Sequence, residues 1–429
     1  MEKHFGFLPC LMVVAAGVLC LLPGGAPAAT RNTEFLTRDG CELFLNGKPF
    51  HEISFNKYDL VLEMFAGEEG RSDYGPNPAL SAETALKNLH AYGFKTLRAF
   101  AFCHGGAAFL NPVRKARYLA ALDKTLDLCD KYDLRLVLCL NATDIYFWKS
   151  QGETLADLVG NSRSKSRKVS EAVVGELVDR YRDRKTIAAW EHENELLYKA
   201  DSGNTRRECL GLKVPTLAEV IRFHAEMAAF IRARDPNHLI TTGDSYRESL
   251  WHQSQFIQGL GKSQWAKDTP EQLLSAVSAA QAAVDLFCVH DYINIHHVEP
   301  RVCGPADWVR VANAAGKPVY YGEYGSLPVP RNEKTKAKWD KNPGWFTSYE
   351  GDEGRKAEAY FARGIAQFLA AKPSLVHWWT YQHDAAAWQK DPNRGDISLE
   401  RTPRLFHQIA EANRQLQLAT MGFTYVTMP

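Results

Sequence analysis

Thr186-Ile187-Ala188-Ala189-Trp190-Glu191-His192-Glu193-Asn194-Glu195 begins as a short apolar run and ends in alternating carboxylates. Residues 186–190 suit a buried strand, and amphipathic helical stretches stand before it at 169–182 and after it at 217–234. The same alternation continues outward in both directions. Strand-like runs occupy 50–57, 94–102, 134–140, 238–242, 284–289, 317–321 and 375–380. Helical stretches occupy 82–92, 116–132, 271–283, 306–315, 353–371 and 404–416. Strands alternating with helices predict a parallel sheet, and eight such units predict a closed (β/α)8 TIM barrel of the α/β class. No Gly-rich phosphate fingerprint follows the first strand, which disfavours an open dinucleotide-binding sheet. Ahead of the barrel, Asp39-Gly40 and Asn46-Gly47 flank Cys41-Glu42-Leu43-Phe44-Leu45 and predict an N-terminal β-hairpin over 35–50.

Barrels of this kind carry their chemistry beyond the carboxyl ends of the strands. The focal stretch ends the fourth strand there, and Tyr321-Gly322-Glu323-Tyr324-Gly325 ends the seventh. Glycosidic hydrolysis by two carboxyl groups needs a proton donor and a nucleophile or base on opposite sides of one sugar ring. Glu195 and Glu323 are the candidate pair. The proton donor must keep a raised pKa, which a neighbouring ionised carboxylate supplies. The longest connections, 59–81, 142–168, 199–216, 245–270 and 326–352, fall on the same side and would wall a cleft.

Other polar residues stand at strand ends where a core would not want them. Arg98 ends the second strand, and a buried guanidinium calls for a carboxylate partner such as Glu323 or Glu191. His290 and Tyr292 follow the sixth strand, two residues apart and so on one face. Tyr292 can donate to Glu323, and His290 can bond a sugar hydroxyl or the acid. Asn194 can bond the sugar 2-hydroxyl. Trp378 and Trp379 end the eighth strand, and alternation lets only one of them face a cleft and stack on a sugar ring.

Composition adds limits. The 429-residue chain is 45% hydrophobic, with a net charge of +1 that offers no general attraction to nucleic acid or anionic membrane. Ten Trp, 17 Tyr and 21 Phe suit sugar stacking. A weakly basic start, an apolar stretch over 5–22 and Ala26-Pro27-Ala28 read as a secretory signal cleaved after Ala28, giving a secreted or periplasmic protein. The domain reading is therefore 1–28 signal, 29–49 hairpin and 50–429 catalytic barrel. Of nine cysteines, Cys10 and Cys20 lie in the signal; Cys129, Cys139 and Cys288 fit a core, and Cys209 and Cys303 fall in loop-like stretches open to one disulfide. A metal-dependent reading on His290-Asp291, His296-His297 and His383-Asp384 lacks the His-x-His that such barrels carry after strand one, where Ile53-Ser54-Phe55-Asn56 stands.

Arg98, Asn194-Glu195, His290-x-Tyr292, Glu323 and a Trp after strand eight, in this order, resemble the pattern of clan A glycoside hydrolases, particularly family 5. Leu97-Arg98-Ala99-Phe100-Ala101-Phe102 and Ala189-Trp190-Glu191-His192-Glu193-Asn194-Glu195 are similar to its β-mannanase branch. The resemblance covers nearly the whole mature chain. It implies Glu195 as acid/base, Glu323 as nucleophile, retention of anomeric configuration and no metal or other cofactor. The substrate it implies is a β-linked polysaccharide or oligosaccharide, foremost β-1,4-mannan. Another β-glucan or oligosaccharide, or a catalytically silent carbohydrate-binding barrel, are the alternatives. Four positions depart from the family pattern: Leu196 replaces a Pro, Phe100 a Trp, Asn141 a His after strand three, and Glu193 a small residue. Asn141 is nevertheless placed among the substrate-supporting residues at the barrel mouth.

Overall fold

Eight parallel strands form one sheet whose hydrogen-bonded order follows the chain around a ring. The computed structural model describes residues 34–72, 76–102, 106–202, 214–260, 266–292, 302–325, 331, 346–349, 351–382 and 397–422. A small sheet of β1 (Thr37–Asp39), β2 (Glu42–Leu45) and β3 (Lys48–Pro49) comes first. The barrel strands are β4 (Glu52–Asn56), β5 (Thr96–Phe100), β6 (Arg135–Cys139), β7 (Ile187–Glu191), β8 (Leu239–Thr241), β9 (Phe287–Tyr292), β10 (Val319–Gly325) and β11 (Leu375–Trp378). The ring is nearly closed: β8 and β9 form no continuous ladder, but the His290 amide donates to the Asp244 carbonyl at 2.9 Å and the Leu286 amide to the Ile240 carbonyl at 3.2 Å.

The predicted units all appear, with informative differences at their ends. The expected hairpin gains a third strand, because Asn46 and Gly47 both adopt positive φ (52° and 74°) and turn the chain straight back. Leu36, Leu43 and Phe50 seal the barrel floor against Val137, Leu239, Leu286 and Leu375. Helices Pro78–Ala91, Pro112–Lys131, Pro270–Ala280, Pro305–Ala314 and Pro403–Thr420 start one to four residues earlier than apolar spacing suggests. Each opens with proline, whose fixed φ and missing N–H suit the first helical position. The connections at 59–81, 142–168 and 245–270 contain helices Leu60–Glu68, Ile145–Lys149, Leu155–Gly160 and Leu250–Ile257. Most of 199–216 and 326–352 lies outside the described residues, as do the proposed signal, Cys103, Cys209, His296, His297, His383 and Asp384. The thiols of Cys41, Cys129, Cys139, Cys288 and Cys303 are free. Among the described residues no helix is long and apolar enough to cross a membrane.

Strand alternation sorts side chains between two environments. Leu97 and Ala99 pack outward among the apolar residues beneath the helices, while Arg98 points inward and is fully buried. The interior is unusually polar. Ser54 donates to the Thr96 carbonyl at 2.6 Å, and His377 lies 3.0 Å from both Thr96 Oγ1 and Tyr320 Oη. Burial, then the Arg98 charge, lower the His377 imidazole to about 3, so the ring itself is neutral.

Candidate active site

Arg98 is the hub on which the upper barrel closes. Nε donates to both oxygens of Glu191 (2.9 and 3.1 Å) and Nη2 to Glu191 Oε1 (2.6 Å). Nη2 also donates to Asn194 Oδ1 (2.7 Å), and Nη1 to Asn56 Oδ1 (3.0 Å) and Glu323 Oε1 (2.8 Å). Every N–H of the guanidinium is thereby used, as a buried Arg requires. Both carboxylates named from sequence as alternative partners are thus partners at once. Burial disfavours the Arg98 charge, but Glu191 and Glu323 outweigh it and raise its pKa well above the ordinary value.

Glu323 reaches the interior because β10 bulges. Tyr320 pairs with Cys288 and Tyr321 with Val289, but His290 then faces Glu323, leaving Gly322 as the extra residue. In regular alternation, without the register shift, Glu323 would share the outward parity of Tyr321, which packs on Phe368 beneath the helices. With the shift, Glu323 turns inward and Tyr324 outward against Phe368 and Trp378. The Tyr292 hydroxyl donates to Glu323 Oε2. Burial, then the charges of Glu323 and Glu195, raise the Tyr292 phenol well above its usual range, so it remains a donor.

Glu195 stands where β7 has ended. Its backbone adopts a left-handed conformation (φ 54°), and its amide donates to the Gly243 carbonyl at 2.8 Å. Its side chain is 25% exposed, whereas that of Glu323 is 6% exposed. His290 lies between them, with Nδ1 3.5 Å from Glu195 Oε1 and 3.6 Å from Glu323 Oε1. One ligand atom from each of the three residues falls within 4.8 Å of the others. Burial alone would lower the His290 pKa; the Glu323 charge, Cys288 and Glu195 reverse this and raise it to about 10, so the ring is an imidazolium at neutral pH. Glu191, Cys288 and His290 form a second triplet of potential metal ligands. In each triplet one carboxylate already accepts from Arg98, whose positive charge opposes a divalent cation there.

The remaining sequence candidates divide. Asn194 gives its carbonyl oxygen to Arg98, which directs its amide nitrogen elsewhere as a donor. Asn141 sits half-buried at φ 44° beside the same stretch, since Leu140 and Ala142 donate to the Glu191 and His192 carbonyls at 2.6 and 2.8 Å. Trp379 is partly exposed and stacks on Tyr58, with ring centroids 5.0 Å apart and 15° between planes. Trp378, expected as one of two possible stacking residues, is not a ligand contact: it points outward, fully buried on Phe361 and Tyr324. Glu193 does not reach the cleft. It is fully buried and accepts from the Thr143 amide (2.8 Å) and hydroxyl (2.7 Å). Asn56, which joins Arg98 to the Gly322 and His377 carbonyls (2.9 and 3.0 Å), and Tyr58 escaped the sequence reading. Their inward parity on and after the first strand was the available signal.

The model of the cellulase (glycosyl hydrolase family 5) family matches residues 50–374. Mannan endo-1,4-beta-mannosidase F of Aspergillus fumigatus is 24% identical over 402 residues, covering 85% of this chain and 78% of that protein. Mannan endo-1,4-beta-mannosidase 2 of Oryza sativa is 28% identical over 246 residues, covering 51% of this chain and 49% of that protein. Among solved structures, the family 5 mannosidase of Rhizomucor miehei has a TM-score of 0.61 at 16% identity, covering 91% of this chain and 98% of that one. The endo-beta-1,4-mannanase of Thermotoga petrophila has a TM-score of 0.58 at 19% identity, covering 89% and 79%. At these identities the structural likeness speaks for the fold.

Proposed function

Since this chain belongs to the cellulase (glycosyl hydrolase family 5) family and is a retaining glycoside hydrolase, we propose that it cleaves β-1,4-linked mannan by double displacement, with Glu323 as nucleophile and Glu195 as acid/base. The observation that carries this reading is the approach of Glu195 and Glu323 oxygens to within 4.8 Å around His290. Retaining pairs lie about 5–5.5 Å apart, whereas inverting pairs leave about 6.5–9.5 Å for a water.

In the first step Glu323 attacks the anomeric carbon while the glycosidic C–O bond breaks and Glu195 gives its proton to the leaving oxygen. In the second, Glu195 takes a proton from water, whose oxygen displaces Glu323 from the sugar. Arg98 and Tyr292 hold one oxygen of Glu323 each, which fixes the direction of attack. Asn194 offers its amide nitrogen to the sugar 2-hydroxyl, and the partly exposed Trp379 offers a surface for a sugar ring. Asn141 borders the subsite beside Glu195.

The N-terminal segment 1–28 acts in this reading as an export signal removed after Ala28, leaving a segment 29–49 and the barrel 50–429. Release of reducing ends from mannan, with the first-formed product carrying the β configuration by proton NMR, is the expected outcome. Release from β-glucan but not mannan would overturn the substrate, and an α product the mechanism. A 2-fluoro-β-mannosyl probe should label Glu323. Mannan binding without turnover by the unaltered enzyme would instead identify a silent binding barrel.

A further inference from the structure

Behind Glu195 runs a buried row of three polar side chains from three elements. His192 follows β7, His224 lies on helix Leu217–Arg232, and Asp244 follows β8. His192 Nε2 lies 2.8 Å from His224 Nδ1, and His224 Nε2 lies 2.8 Å from Asp244 Oδ2. All three are at most 1% exposed. The row ends on the backbone of the catalytic segment, where Asp244 Oδ1 accepts from the Leu197 amide at 2.9 Å. On the other side of Glu195, the adjacent Gly243 carbonyl accepts the Glu195 amide. The Asp244 carbonyl also accepts the His290 amide, so one residue joins Leu197, two positions after Glu195, to the strand that carries His290.

Glu195 needs such support. A left-handed backbone is unfavourable for a residue with a Cβ and persists only where the surroundings impose it. Leu196, which follows it, lacks the ring of a proline to restrict the chain. Burial and the neighbouring His224 lower His192 to about 3, which leaves it neutral and His224 as the ring facing the carboxylate. Burial would raise Asp244, but His224 reverses this and lowers it, in keeping with an ionised cap on the Leu197 amide.

We propose that Asp244, held by His224 and His192, is a positioning residue that sets Glu195 in proton-transfer geometry. The inference rests on the acid/base reading of Glu195. Asp244→Ala, Asp244→Asn and His224→Leu would be compared with the unaltered enzyme and Glu195→Ala on β-mannotetraose and on 2,4-dinitrophenyl β-mannobioside. The dinitrophenolate leaves without a proton, so its release does not need a placed acid. Asp244→Ala and His224→Leu should lose roughly tenfold or more in kcat/KM on the tetraose and less than about threefold on the aryl glycoside. Asp244→Asn, which keeps an acceptor for Leu197, should recover most of the loss. Equal losses on both substrates, or none on either, would overturn the proposal. If Glu195→Ala itself shows no dependence on the leaving group, the acid/base reading fails. If Glu195→Ala shows it and the row variants do not, only the row's role fails. Should Asp244→Ala not fold, Asp244→Asn and His224→Leu still decide.

Discussion

Gly322 lies so close to His290 that a Cβ added there would stand 2.6 Å from Nε2 and 2.9 Å from Cδ2 of the imidazole. The same glycine is the extra residue of the β10 bulge that turns Glu323 inward. Gly322→Ala must therefore move either the ring or the bulge, and both feed the carboxylate pair. A displacement of an ångström in catalytic geometry costs about a hundredfold in rate. Turnover is expected to fall by roughly that factor while circular dichroism stays unchanged. Full activity in Gly322→Ala would mean that the barrel tolerates either shift.

Arg98 separates stability from chemistry. Arg98→Met leaves Glu191 fully buried without its cation, a loss of about 3–5 kcal/mol in unfolding free energy. Adding Glu191→Met removes the stranded charge, and denaturant unfolding should then recover a large part of the loss. Activity should not return, because Glu323 still lacks its Arg98 donor. Recovery of turnover in the double variant would show that Glu323 does not need that bond.

How far the sequence could be read follows from the same residues. Alternation of apolar runs and amphipathic stretches locates all eight barrel units, because each outward strand face and each inward helix face must be apolar to pack. The polar interior misleads the same reading. His290, Tyr292 and Glu323 look like residues beyond their strands because hydropathy drops, yet they lie on β9 and β10. Their hydrogen-bond partners come from other strands and are invisible locally. Tyr292 and Glu323 can be paired by residue chemistry, but parity alone would send Glu323 outward with Tyr321. Only the register shift at Gly322 reverses it.

His290 makes stability depend on pH with a definite sign. Its folded pKa of about 10 lies above the ordinary 6.5, so the folded chain binds this proton more tightly than the unfolded one. The contribution is fully present below pH 6.5 and is lost as pH rises through 10. His290→Asn cannot titrate. The difference in unfolding free energy between the unaltered protein and His290→Asn should therefore shrink steadily from pH 6.5 to 10. A difference that stays constant over this range would mean that the imidazole is not held protonated between Glu195 and Glu323.

Glu193 adjoins Asn194-Glu195 yet serves a different part of the site. Its two oxygens accept the amide and hydroxyl of Thr143, in the turn that begins at Asn141 and is closed by the Asp144 amide donating to the Asn141 carbonyl at 2.9 Å. Burial raises its pKa against the opposing effects of Lys199 and Thr143. Glu193→Gln keeps one acceptor for the Thr143 amide and supplies a donor that the Thr143 hydroxyl can accept by rotating. Near-normal kinetics and stability are expected. Glu193→Ala strands the Thr143 amide in a buried site, at a cost of about 1–3 kcal/mol. It also frees the turn, so KM for mannan should rise more than kcat falls. A Gln variant as impaired as the Ala variant would show that the charge of Glu193, rather than its pair of bonds to Thr143, is what the turn requires.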